Sequence, residues 1–338
     1  MYKRLFPRVT AMVLAGIMTF SLTACGGDQT ASTGTDGSQA AESTAAATDE
    51  ESKEYQVGVI LKTTSSEYWS YVMAGVDAAE EELGNVYAQV YGASSDTDYE
   101  GQLNQAETIL NSGTKQAIAI APLDAGMAAT VLGNADIPIL AVDTNFDGAS
   151  TFIGTAHEDA AYQGGQYIAE QIGEGGKVLI LANIQGESTS EARVSGYTKA
   201  LEEGGCEIVD VQYTDGVGDK AVNVMEGALQ THPDLDAVVC CADDVALGAA
   251  RAMSSQGLTA DDIMICGFDG ISSGVQAVVD GTISCTVAQD PYNMGYQCVM
   301  SLVDAVDGEE LPEFIDTGCS VITPDNAQEY LDKLNSLV

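Results

Sequence analysis

The sequence predicts an α/β fold made of two doubly wound parallel-sheet lobes. Three observations lead there. From Tyr55 to the C-terminus, short runs rich in Val and Ile alternate with longer segments of helical period. The runs are continuously apolar rather than alternating, which requires burial on both faces, as in a parallel sheet covered by helices. Nine such runs are too many for one twisted sheet around one core, so they divide between two.

The fold is preceded by other material. Lys3, Arg4 and Arg8 make a basic start, and Ala11 to Leu22 is apolar but too short to span a bilayer comfortably, so residues 1–24 read as an export leader. Leu22-Thr23-Ala24-Cys25-Gly26 resembles a lipobox, which would make Cys25 the lipidated first residue of the mature chain. Residues 25–54 hold no aliphatic side chain larger than Ala, cannot bury enough surface to offset their ordering entropy, and read as a disordered tether to the membrane.

Charge limits the partners. The chain carries a formal −39, and loss of the leader removes three more cations. Such a surface repels nucleic acid and anionic headgroups, and it has no basic stripe for either. Lys62 and Arg193 are among the few cations left, so their positions are informative. The eight cysteines form no CxxC pair, and those in apolar runs, such as Cys240, Cys266 and Cys285, read as small buried hydrophobes.

The runs, in order, are Val57–Leu61, Val86–Tyr91, Gln116–Ala121, Ile137–Val142, Val178–Ala182, Ile208–Tyr213, Ala237–Cys241, Ile263–Gly267 and Ile283–Ala288. In open α/β sheets ligands lie beyond the carboxyl ends of the strands. After the first run come Lys62, Ser66, Tyr68 and Trp69, the chain's only tryptophan. Aromatic faces suit the C–H faces of a sugar, and a lysine donates to its hydroxyls. Asp143 follows the fourth run with Thr144 behind it, and Asp269 follows the eighth after Phe268. A carboxylate accepts two hydroxyl hydrogens at once, each charge-assisted bond contributing roughly 1.5–3 kcal/mol. Gln289 ends the last run. Arg193, expected in the first turn of a helix starting near Thr189, opposes the helix dipole there and needs a partner facing it.

These segments together resemble the ribose-binding type of periplasmic binding protein. The resemblance rests on Ile137-Pro138 leading to Asp143, Gly173 to Val178, Ser188 to Gly196, His232-Pro233-Asp234, Ala246-Leu247-Gly248-Ala249 and Gly267-Phe268-Asp269-Gly270. It implies a three-strand hinge with crossings near Thr155-Ala156, Gln289-Asp290 and Thr317-Gly318. The implied lobes are residues 55–155 plus 290–317 and residues 156–289 plus 318–338. Asp143, Arg193, Asp269 and Gln289 match sugar contacts of that family, Tyr68 and Trp69 its paired stacking rings, and Lys62 and Ser66 its first-loop contacts. Thr144 stands where the ribose binders have a second Arg, Ala242 where they have Asn, and Gly216 or Val217 where they have Phe, so the expected ligand is a pyranose, furanose or related polyol whose identity these departures leave open. The resemblance further implies a monomer without cofactor that serves an ABC transporter permease outside the cytoplasm. A sensory protein presenting its loaded form to a receptor kinase is the alternative.

Other motifs yield to simpler readings. Gly270-Ile271-Ser272-Ser273-Gly274 matches a nucleophile elbow, but both histidines, His157 and His232, precede it, and an α/β-hydrolase needs one after it. Asp96, Asp98, Glu100, Gly101 and Glu107 approximate a calcium loop, yet helical spacing runs through them, which predicts a helix capped by Asp98. No GxGxxG follows the first run, there is no P-loop, and the isolated histidines offer no zinc set.

Overall fold

A computed structural model describes residues 53–337. The expected leader, the Cys25 lipidation site and all but the end of the expected tether lie outside the described residues.

The first lobe opens with β1 (Tyr55–Thr63), α1 (Glu67–Leu83), β2 (Val86–Ala93), α2 (Tyr99–Ser112), β3 (Ala117–Ile120), α3 (Ala125–Leu132), β4 (Ile139–Val142) and β5 (Phe152–Gly154). The chain then enters the second lobe through α4 (His157–Ile172), β6 (Lys177–Ala182), α5 (Ser188–Glu203), β7 (Glu207–Tyr213), α6 (Gly218–Thr231), β8 (Ala237–Cys240), α7 (Asp243–Ser255), β9 (Met264–Asp269), α8 (Ser272–Val279) and β10 (Cys285–Gln289). It returns for α9 (Pro291–Asp307) and β11 (Phe314–Asp316) and crosses a last time to β12 (Cys319–Ile322) and α10 (Ala327–Leu334).

The two sheets repeat one plan. Their orders are β11-β5-β4-β3-β1-β2 and β12-β10-β9-β8-β6-β7, so β4 and β9 hold equivalent places, as do β1 and β6. Every pairing is parallel except that of β10 with β12, which adds an antiparallel edge the sequence pattern did not predict. Strands β3, β4 and β8 are buried along their whole length, as continuous apolar runs require, and each sheet carries a hydrophobic cluster on both faces.

Helix ends follow local chemistry. Asp98 caps α2 by accepting from the Gly101 N–H at 3.1 Å, so the calcium-loop residues form a helix start, as expected. Asp290 caps α9, with Pro291 in its first turn where the missing N–H costs nothing. Helix α9 lies against α1 so closely that a Cβ at Gly75 would sit 1.9 Å from the Tyr292 carbonyl oxygen. This contact binds the returning segment to the first lobe.

Candidate functional site

The carboxyl ends of the two sheets face one another across a cavity of about 140 Å³, room for one small solute. The first lobe lines it with Lys62 from β1, with Ser66, Tyr68 and Trp69 at the start of α1, and with Asp96, Leu123 and Asp143 from the ends of β2, β3 and β4. The second lobe adds Asn183, Ile184 and Glu187 after β6, Thr189 and Arg193 from α5, and Asp215 and Gly216 after β7. Ala242, Asp244, Asp269 and Ile271 complete it from the ends of β8 and β9.

Backbone strain is concentrated here. Among the described residues the non-glycine positions with positive φ are Asp143 (61°), Asp215 (54°) and Asp269 (115°), and all three line the cavity. Such conformations cost of order 1–3 kcal/mol each and persist only where the surroundings enforce them. Around Asp269 the enforcement is steric: Gly270, at φ 68°, lies so near β10 that a Cβ would meet that of Ala288 at 2.3 Å.

Asp143 is held by donors. Tyr68 Oη donates to its Oδ1 at 2.9 Å, Thr144 Oγ1 to its Oδ2 at 2.9 Å, and Lys62 Nζ lies 3.4 Å from Oδ2. Burial would raise its pKa, but Lys62, His157 and Arg193 outweigh burial and hold it below the usual carboxylate value. Glu187 also resists burial: Lys62, together with hydrogen bonds from Thr189 and Ser190, brings it to about 2. Asp269 behaves oppositely. Burial pushes it up to about 7, although Arg193 Nη1 is 3.5 Å away and Gln289 Nε2 donates to it at 2.8 Å.

Arg193 occupies the second turn of α5 rather than the first, because the helix starts at Ser188, so the expected clash with the helix dipole does not arise. Its position follows from its partners: Nη1 donates to the Cys241 carbonyl at 2.7 Å, and the guanidinium lies 4.0 Å from the Phe268 ring centroid. His157 links it to the first lobe. Burial and neighbouring Arg193 depress His157 to about 4, so the ring is neutral near pH 7, with Nε2 donating to the Asp143 carbonyl at 2.9 Å and Nδ1 3.4 Å from Arg193 Nη2.

Eight of the ten residues expected to contact a ligand line this cavity: Lys62, Ser66, Tyr68, Trp69, Asp143, Arg193, Ala242 and Asp269. Thr144 and Gln289 do not; both are buried behind the cavity, each donating to the carboxylate in front of it. Trp69 is 5% exposed and belongs to the first-lobe core as well as the wall, meeting Tyr68 edge-on at 5.1 Å. Sequence reasoning missed Glu187, Asn183, Asp244 and His157. The first two follow β6, so the strand-end rule applied to that run would have found them.

The model of the periplasmic binding protein domain matches residues 57–310. The chain belongs to the periplasmic binding protein family. This periplasmic binding protein is of the ribose-binding-like type I class, a binding protein and not an enzyme. It is 30% identical over 240 residues to the ribose import binding protein RbsB of Escherichia coli K12, covering 70% of this chain and 80% of that one. It is 28% identical over 279 residues to the D-allose-binding periplasmic protein of the same organism, covering 77% and 89%. Among solved structures, a solute-binding protein from Agrobacterium vitis with bound D-fucose superposes with a TM-score of 0.77 at 27% identity, covering 82% of this chain and 99% of that one.

Proposed function

We propose that the protein captures a small sugar or polyol outside the cytoplasm and delivers it to the permease of an ABC importer. The observation that carries this reading is the convergence of Asp143, Asp269, Arg193, Tyr68 and Trp69 on one cavity between two lobes. Carboxylates and a guanidinium satisfy hydroxyls, and rings cover the apolar face of a pyranose or furanose. A micromolar affinity corresponds to about −8 kcal/mol, within reach of a few charge-assisted bonds and ring contacts after the costs of association. The relatives named for ribose and D-allose support a sugar, and Thr144, Ala242 and Gly216 or Val217 give this chain a different set of side chains from the ribose binders.

Capture works by closure about three crossings, near Thr155-Ala156, Gln289-Asp290 and Thr317-Gly318. Two of them brace each other: Thr317 N–H donates to the Gly154 carbonyl at 2.9 Å, and Thr155 Oγ1 lies 3.4 Å from the Gly318 carbonyl. The protein acts as a monomer, tethered to the membrane by a lipid on Cys25.

A thermal-shift panel of pentoses, hexoses and polyols tests capture, since a ligand of the folded state raises the melting temperature. Uptake of the stabilising compound in a deletion strain tests delivery. Capture without any uptake defect would replace transport by sensing.

A further inference from the structure

His157 lines no part of the sugar cavity, yet it touches two residues that do. It is buried, and it is the first residue of α4, directly after the Thr155-Ala156 crossing into the second lobe. Its Nε2 lies 2.9 Å from the carbonyl oxygen of Asp143 in the first lobe, and its Nδ1 lies 3.4 Å from Arg193 Nη2 in the second.

These two partners admit one form of the ring. A carbonyl oxygen only accepts and a guanidinium only donates, so both bonds need a neutral imidazole with its proton on Nε2 and a bare Nδ1. The other neutral tautomer sets a lone pair against the carbonyl and an N–H against Arg193, and the imidazolium keeps the second of these clashes. The start of α4 favours the same neutral ring, because a helix N-terminus disfavours a cation. Of the charged groups around it, Arg193 from α5 and Lys62 from β1 oppose protonation, whereas Asp143 at the end of β4 favours it.

The ring acts on both partners where their geometry needs support. Asp143, at φ 61°, has a backbone conformation that persists only where neighbours hold it, and the His157 N–H holds its carbonyl. Arg193 is anchored through Nη1 to the Cys241 carbonyl, and the acceptor that His157 gives to Nη2 is a second point that fixes the guanidinium plane.

We infer that His157 is a positioning residue for ligand capture: from outside the cavity, its Nε2–H tautomer aligns the Asp143 carboxylate of one lobe with the Arg193 guanidinium of the other. The inference rests on the sugar-capture reading and extends it to a residue that need not touch the ligand.

Two variants test it. His157→Gln supplies an amide N–H and an amide oxygen in place of the ring's donor and acceptor, whereas His157→Leu fills similar space with neither. Calorimetry at pH 7 uses the member of the pentose, hexose and polyol panel that most raises the parent's melting temperature, below the melting transition of each variant. His157→Leu binds at least about tenfold more weakly than the parent, and His157→Gln stays within about threefold of it. Parental affinity in His157→Leu, or a His157→Gln variant no better than it, overturns the inference. The parent gives a reading that needs neither variant to fold. The chain has two histidines, so nitrogen-15 spectra of the imidazoles, assigned with His232→Gln, show for His157 a protonated Nε2 and a bare Nδ1 at pH 7. A proton on Nδ1 overturns the inference as well. Failure of the parent to bind any member of the panel overturns the sugar-capture reading instead.

Discussion

Lys62 Nζ lies 3.2 Å from Glu187 Oε1, an ion pair between opposite lobes with both side chains largely shielded from water. It joins two further cross-lobe contacts: Glu67 Oε1 accepts from the Ser273 N–H at 3.2 Å, and Tyr71 of α1 packs into the second lobe's hydrophobic cluster. The lobes are thus held together by one ion pair at the cavity wall and by two contacts beside it.

Glu187→Gln keeps the cap on α5 but removes the charge facing Lys62. The closed form loses about 1–2 kcal/mol, so sugar affinity falls roughly tenfold. Small-angle scattering of the unliganded variant shows a larger radius of gyration than the parent; identical curves and affinities would assign the pair no part in closure.

Asp269, with its pKa near 7, binds a proton in much of the unliganded population at pH 6. A sugar hydroxyl donating to it favours the carboxylate, so binding at pH 6 releases a proton. Affinity therefore rises between about pH 6 and 8, by at most tenfold per unit, and then levels. Titrations in buffers of different ionisation enthalpy report the proton, and Asp269→Asn should abolish that dependence.

His157 has its folded pKa depressed from 6.5 to about 4. The unfolded chain takes up a proton below pH 6.5 that the folded chain refuses until about pH 4. Stability present above pH 6.5 is therefore lost as pH falls across that window, by about 3 kcal/mol from this group. Urea unfolding of the parent and of His157→Gln from pH 7 to 4 separates this loss from that of Glu187, which begins only below about pH 4.5.

Asp243 is fully buried at the start of α7, with the Thr286 hydroxyl 2.6 Å from Oδ1 and the Ile271 N–H donating to Oδ2 at 3.0 Å. Burial raises its pKa well above the normal value and so favours the neutral acid, and the carboxyl braces the loop after Asp269. Asp243→Asn preserves both hydrogen bonds and costs little, whereas Asp243→Ala orphans two buried groups and costs about 1–3 kcal/mol each. Equal losses in chemical denaturation would show that the carboxyl is charged.

Much of this was legible in the sequence, because strands buried on both faces leave continuous apolar runs and the residues ending them point to the ligand. The edge elements were not. Strands β5, β11 and β12 have three or four residues, and β11 and β12 are partly exposed, so neither length nor hydrophobicity marks them. Asp143 and Asp269 were legible as strand-end carboxylates, but Thr144 and Gln289 turn behind them, a direction that sequence spacing does not encode. The role of Glu187 depends on the packing of one lobe against the other, which sets it beside a lysine 125 residues away.

Calorimetry of one stabilising sugar against the parent protein, Asp143→Asn and Asp269→Asn tests the shared cavity most directly. Each variant should bind at least about tenfold more weakly, with its melting transition intact in the absence of sugar. Parental affinity in both would place the binding site elsewhere.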